Sequence, residues 1–372
     1  MTKTNENRHR QPVYLNTAAA GLLSPASVSA TTAFQRTMLS NPGKAFTQWL
    51  DEGLPALRKK AADLLGTRPS QVAFTPNFSY GLLPVIENIK PQLKKVLLYG
   101  EDYPSLNLPF ALGGFDLYYV QSPDGFSIPL SDIKETIDRE KIEVVAISHV
   151  QFLTGFTIDL AELGQYCREK GVMLIVDATQ SMGAVDLNFD ELPVDVLISS
   201  SYKWLNGGYG SAILLAKEEF IARFPPRFAG FGSMDISAEG WTYTPSITSF
   251  EPGHLNIPGL LQLEQAIEHR QLDGIRTVQH HNAQLLDKLA TGLLDTSFRA
   301  SGGHRRKDLA TILCFEADKP VHDYLVQKGF VLTWRKGLIR VSPHFYNTGQ
   351  EIDALLGALK DYGNVLKGYG SI

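Results

Sequence analysis

Lys203 stands in the run Ser199-Ser200-Ser201-Tyr202-Lys203-Trp204, a single lysine among small hydroxyl residues and aromatics. A lysine amine forms a Schiff base with an aldehyde only when it is neutral, so it needs a desolvating or electropositive pocket that lowers its pKa. Ser-x-x-Lys does not establish this by itself, because an isolated lysine after a strand is ordinarily solvated. The flanking sequence supplies the context. Residues 195–199 read as a buried parallel strand, and Gly207-Gly208-Tyr209-Gly210 lets the chain turn before the apolar run 211–216. The lysine is therefore expected at the carboxyl end of a strand.

Asp177 has its own local case. Asp159 followed by Glu162 forms a capping box, the helix runs to about Lys170, Gly171 stops it, and the apolar strand 172–176 ends on the aspartate. A carboxylate in that place has two readings. It caps the segment after Thr179, or it partners a pyridinium nitrogen, keeping it protonated so that the ring accepts electrons from a substrate carbanion. On the second reading Lys203 and Asp177 are the pair that pyridoxal 5'-phosphate chemistry needs, and Gln180 would reach the cofactor's phenolic oxygen.

The elements around these residues fix the fold class. Candidate strands at 72–75, 95–99, 116–120, 142–148, 172–176, 194–199 and 211–216 are mostly separated by helical patterns. Such alternation implies an α/β fold with a mostly parallel sheet and helices on both faces. Ligands bind beyond the carboxyl ends of such strands, where Asp177, Ser200 and Lys203 all fall. Pro252, Gly253 and Pro258 then interrupt the pattern, and a long helix is expected with Pro258 as its first residue and Leu263, Ala266 and Ile267 on one face. A helix over 277–294, strands around 309–315, 331–334 and 338–342, and a last helix capped by Thr348 and Glu351 complete a small α+β lobe. The expected division is a large lobe over 14–257 and a small one over 258–372.

Together, Val-Asp-Ala-Thr-Gln at 176–180, Ser-x-x-Lys at 200–203 and Arg340-Val341-Ser342-Pro343-His344-Phe345-Tyr346-Asn347-Thr348 resemble the class V aminotransferase superfamily, fold type I of the pyridoxal phosphate enzymes. The nearest branch is cysteine desulfurase-like, with kynureninase and isopenicillin N epimerase as cousins. The likeness runs from Tyr14-Leu15-Asn16-Thr17-Ala18-Ala19-Ala20-Gly21 onward. It implies that Phe78 and Ser79, at a strand-to-helix turn, offer backbone N–H groups to the phosphate, with the Ser79 hydroxyl; a helix N-terminus suits an anion. It places Tyr103 stacked on the pyridine where many desulfurases have histidine, and Tyr202 where relatives often have a histidine touching phosphate. The segment 251–256, with His254, resembles one that reaches the neighbouring subunit's site, which implies a homodimer with composite sites. Arg340, on a strand whose arginine would otherwise face solvent or a carboxylate, is implied to grip the substrate α-carboxylate, for which a guanidinium fork is suited. The N-terminal segment is implied to complete the small lobe.

Departures from the pattern matter equally. Persulfide-forming desulfurases need a loop cysteine thiolate before the carboxylate-binding arginine, and residues 331–340 contain none. The two cysteines, Cys167 in the helix 160–170 and Cys314 in the strand 311–315, read as buried core residues. The loop 333–337 is too short for a long lid, and His149-Val150-Gln151-Phe152 replaces the family's asparagine near the cofactor oxygen. His149 itself is either a core residue or a neighbour of the cofactor ring. An amino acid substrate follows, and transamination, epimerisation, lyase and kynureninase-like hydrolytic chemistry all stay open.

Other classes find little support. A net charge of −4 gives no basis for nucleic-acid affinity, and Arg305-Arg306-Lys307 reads as a solvated face. No apolar stretch approaches membrane-spanning length, and residues 1–11 read as a loose polar arm without a signal-peptide core. Two dispersed cysteines fit a reducing cytoplasm. His280-His281 on a helix point about 100° apart and cannot share a metal, and Gly207-Gly208-Tyr209-Gly210 lacks the following helix of a dinucleotide fingerprint. A catalytically silent binding protein on the same fold is the non-enzymatic alternative.

Overall fold

Seven strands form the central sheet of this computed structural model, which describes residues 12–237, 240–303 and 310–369. The chain opens with β1 (Val13–Tyr14) and then supplies β2 (Val72–Thr75), β3 (Lys95–Tyr99), β4 (Asp116–Val120), β5 (Val144–Ser148), β6 (Met173–Asp177), β7 (Val196–Ser200) and β8 (Ala212–Ala216). Strands β2 to β8 pair in the order β2-β8-β7-β6-β5-β3-β4. Every residue of β5, β6, β7 and β8 is buried, as expected where helices cover both faces and the strand sequence need not alternate. Only β8 runs against its neighbours. Its connection from β7 is a glycine-containing loop without a helix, and a parallel return needs a longer crossover. The expected strands all occur, displaced by up to two residues; Asp177 and Ser200 are themselves the last residues of β6 and β7.

Eight helices accompany these strands: α1 (Pro25–Met38), α2 (Pro42–Gln48), α3 (Leu54–Leu64), α4 (Phe78–Ile89), α5 (Pro104–Leu112), α6 (Leu130–Glu140), α7 (Leu160–Lys170) and α8 (Glu218–Arg223). Leu57 of α3, Ile133 of α6 and Leu163 of α7 pack with Val145 and Ile147 on one face of the sheet. Leu82 of α4, Phe110 of α5 and Phe220 of α8 pack with Val144 and Ala146 on the other. The period-2 alternation of β5 thus serves two cores. Asp159 caps α7, accepting from the Glu162 N–H at 2.9 Å, and Gly171 ends it in the left-handed region at φ 68°.

Beyond a short hairpin of β9 (Asp235–Ser237) and β10 (Gly240–Thr242), the chain forms α9 (Ile257–Asp273), α10 (Ile275–Leu293), β11 (Leu313–Glu316), α11 (Lys319–Gln327), β12 (Phe330–Val331), β13 (Thr333–Arg335), β14 (Leu338–Val341) and α12 (Gly349–Tyr369). Helix α9 begins one residue earlier than expected: Asn256 is the cap and Pro258 the second helical residue, still in the turn where its missing N–H costs nothing. Leu260, Leu263 and Ile267 of α9 join the core under the large sheet, whereas Leu285, Leu286 and Leu289 of α10 join a separate core with β11, β14 and α12. The change of core falls at Gly274, at φ 78°. The strand expected over 331–334 is split at Leu332, because β12 pairs in parallel with β1 while β13 pairs with β14. The start of the described chain is thereby sewn to its C-terminal part. Residues 1–11, Leu309 and the Arg305-Arg306-Lys307 cluster lie outside the described residues. Among those described, no helix is long and apolar enough to cross a membrane.

Candidate active site

A cleft of about 410 Å³ opens beyond the carboxyl ends of the strands, lined by Phe78, Ser79, Tyr103, Asp177, Gln180, Ser200, Tyr202 and Lys203, among others. The structure therefore brings together eight of the ten site residues expected from sequence. Lys203 and Asp177 are both buried. Burial pushes the Lys203 ammonium down to about 8, against the opposing pull of Asp177, with Arg340 adding to the fall. Burial likewise pushes the Asp177 carboxyl up to about 6, countered by Thr179 and Lys203. Each group tempers the desolvation of the other. Asp177 does accept from the Thr179 N–H, at 2.8 Å, as a cap would. No helix follows, however, so capping alone leaves its burial unexplained.

The other lining residues are held from several elements. Gln180 is fixed at both ends of its amide: Nε2 donates to Ala18 O at 3.1 Å, and Oε1 accepts from Trp204 Nε1 at 2.8 Å. One Nε2 hydrogen is left to turn toward the cleft. The Lys203 Nζ lies 5.6 Å from the Tyr103 ring centroid and 5.7 Å from that of Tyr202. Tyr103 meets Phe152 edge-on at 5.3 Å, and Tyr202 stacks on Tyr209 at 4.6 Å. The Tyr202 hydroxyl is pushed up to about 12, mainly by burial.

At the start of α4 the picture differs from expectation. The Phe78 N–H, expected to face a phosphate, donates instead to Ser200 Oγ at 3.0 Å, because β7 ends beside this turn. Asn77 caps the helix, accepting from the Tyr80 N–H at 3.1 Å, which places Ser79 at the cleft with its amide on the positive end of the helix.

The remaining two residues do not line the cleft. Arg340, on β14, is buried behind it; Nη1 donates to Phe152 O at 2.7 Å, while Nε has no partner. His254 packs edge-on against Phe46 and Phe231, and lines a separate apolar cleft of about 430 Å³ with Tyr80, Leu83 and Phe250. His149 faces away: Ser148 and Val150 line the site and His149, between them, does not. Burial pushes its imidazole down to about 4, as suits a core residue. Both cysteines are buried, with thiols pushed up to about 12 by burial. The segment between β13 and β14 is the two-residue turn Lys336-Gly337, both at positive φ, as a tight primed hairpin requires.

Sequence reasoning missed Asp102, Ser148 and Thr179. Ser148 and Thr179 line the cleft, and Asp102 ties two of its walls together. The only sequence signal was their position at or just beyond strand ends.

A cofactor with an aldehyde, a pyridine nitrogen and a phosphate fits these residues. A desolvated amine, a buried carboxylate, an aromatic ring and a helix N-terminus converge on one cleft, and a buried guanidinium with an unpartnered nitrogen lies behind it. Sheet order and strand-end chemistry define an α/β protein of the fold type I arrangement. The chain matches the family Aminotransferase class-V over residues 13–330 and belongs to it. It is 26% identical over 330 residues to a probable cysteine desulfurase of Pyrococcus abyssi, covering 82% of each chain. It is 25% identical over 389 residues to an isopenicillin N epimerase of Amycolatopsis lactamdurans, covering 93% of this chain and 94% of that one. Among solved structures, a complex between a cystine C–S lyase and its product cysteine persulfide superposes with a TM-score of 0.84 at 23% identity, covering 95% and 98% of the two chains.

Proposed function

We propose that this chain is a pyridoxal 5'-phosphate-dependent enzyme acting on an amino acid, with Lys203 as the residue that holds the cofactor covalently and later moves the substrate's α-proton. The observation that carries the reading is the buried Lys203–Asp177 pair, a desolvated amine beside the carboxylate that would meet the pyridine nitrogen. When bound, the cofactor supplies an electron sink that weakens bonds at the substrate's α-carbon. Tyr103 would cover the ring, Gln180 would offer its free N–H to the phenolic oxygen, and Ser79, Ser200 and Tyr202 would face the phosphate. Phe78 would contribute its amide once Ser200 Oγ turns away. Arg340 would hold the substrate carboxylate, exchanging a backbone carbonyl for a charged partner.

Among reactions we favour a lyase of the desulfurase-like branch, or an aminotransferase, that does not carry sulfur on the protein. Two buried, weakly acidic cysteines and a two-residue turn before Arg340 support that preference, since a persulfide carrier needs an exposed thiolate. Epimerisation and kynureninase-like hydrolysis use the same parts and are the alternatives. We further propose a homodimer in which His254 serves the neighbouring site, a cytoplasmic location, and two lobes over 14–257 and 258–372 with α9 seated on the first.

The test is an amino acid panel with the cofactor-loaded protein, scored for spectral change, keto acid, sulfide and alanine. Pyruvate and ammonia with sulfide from cysteine, or with cysteine persulfide from cystine, and no sulfur retained on the protein, is the expected result. Lys203→Ala should abolish borohydride fixation of the cofactor to the chain, read by intact mass. Fixation retained in that variant overturns the assignment, and wild-type protein that takes up no cofactor would mark a silent binding protein.

A further inference from the structure

Asp102 is buried on the loop after β3, beneath the cleft, where the proposed function assigns it nothing. Its Oδ1 accepts from the Tyr103 N–H at 2.7 Å and from Ser148 Oγ at 2.6 Å. Its Oδ2 accepts from the Ser148 N–H at 2.9 Å and from Gln151 Nε2 at 3.3 Å. These partners belong to the ends of β3 and β5, which are neighbours in the sheet.

We propose that Asp102 is a positioning residue of the cofactor site, locking the Tyr103 ring and Ser148 to adjoining strand ends and setting a second carboxylate beside Asp177. This rests on the cofactor reading above. The donor set explains why a carboxylate is needed. Both oxygens face a backbone N–H that cannot turn, so an amide would set its NH₂ against one of them. Burial raises the Asp102 carboxyl above the usual carboxylate range, and the four donors oppose that rise while holding both oxygens in place. What it holds bears on the site directly, because Tyr103 lies across from Lys203 Nζ and Ser148 lines the cleft. The charged groups facing Asp177 are Lys203, on the loop after β7, and Asp102, on the loop after β3, the first favouring its ionised form and the second opposing it. In its ionised form Asp102 thus makes the site more negative where a protonated pyridine nitrogen would sit.

The experiment compares wild type with Asp102→Asn and Ser148→Ala, as apoprotein and with pyridoxal phosphate. In the apoprotein, amide hydrogen exchange over residues 100–107 should accelerate in both variants while α7 exchanges as before. Cofactor affinity at pH 8 should fall about tenfold or more in Asp102→Asn, the usual scale for losing a buried charge-assisted contact. The acid limb of binding should move to lower pH in that variant, because Asp177 then ionises more readily; a merely structural defect would not move it that way. Wild-type exchange over 100–107, or an acid limb that stays in place, overturns the proposal. If Asp102→Asn does not fold, exchange in Ser148→Ala decides it. Failure of wild type to bind the cofactor sinks the functional reading, while the apoprotein exchange still judges the lock.

Discussion

Lys203 and Asp177 are each in a medium that disfavours their charge, and this gives the apoprotein a pH signature. The folded Lys203 pKa lies below its unfolded value of 10.5. Between about pH 8 and 10 the unfolded chain therefore binds the extra proton, and stability rises with pH through that window. Asp177 runs the other way: its folded pKa is raised, so stability falls as pH rises from about 4 to 6. The melting temperature of the apoprotein should accordingly gain on that of Lys203→Met between pH 8 and 10, and parallel curves would show that the amine is not desolvated. Arg340→Lys keeps the charge but loses the fork, so KM for the amino acid should rise about 10- to 100-fold with kcat less affected. The placing of Lys203 and Asp177 around one cleft was legible because strand-end position and residue type restrict where such groups lie, whereas Arg340 was marked only by the family resemblance. Asp102 was not legible, because its meaning depends on Ser148 and Gln151, far away in the chain and brought near only by the pairing of β3 with β5.

Elements with a strong periodic signal were read correctly, and those whose fate depends on a distant partner were not. The apolar runs of β5 to β8 need no partner to be recognised, and their limits moved by no more than two residues. The stretch over 331–334 looks like one strand locally; it divides because β1 claims one end and β14 the other. The turn after β5 carries a testable constraint of this kind. Gly155 sits at φ +81°, and a Cβ there would meet Ile312 O at 2.3 Å. Backbone strain and a clash with a rigid carbonyl both follow from Gly155→Ala, with an expected loss of about 2 kcal/mol or more in urea unfolding. Phe152 O, which anchors Arg340 from this turn, should shift, so KM should rise as well. An unchanged unfolding midpoint and KM would show that the turn yields freely.

At the scale of the whole molecule the small core of α10 and α12 joins the large sheet through an apolar cluster, Val150 and Trp204 with Ile312 and Cys314, and through polar contacts that converge on the site. Thr311 Oγ1 donates to Gln180 O at 3.0 Å, Arg340 reaches Phe152 O, and His344 Nε2 contacts Trp204 O, next to Lys203, at 2.8 Å. A carbonyl partner requires that His344 Nε2 carry the hydrogen, so Nδ1 accepts from Asn282 Nδ2 at 3.1 Å. Burial pushes this imidazole down to about 3, with Arg270 adding to the fall, and it stays neutral throughout the working range. In the sequence His344 was visible only as one letter of the Arg340 to Thr348 motif; its task depends on α10 and on the Lys203 loop, which no local pattern reports. His344→Ala removes both contacts and leaves the Trp204 carbonyl and the Asn282 amide buried without their partner. The expected cost is about 2–4 kcal/mol in urea unfolding, with weaker cofactor binding as the Lys203 loop loosens. Because the imidazole is uncharged, the ratio of variant to wild-type affinity should stay constant from pH 6 to 9. A ratio that changes across that range would mean that His344 titrates, and that the link between the small core and the Lys203 loop is electrostatic instead of a neutral clamp.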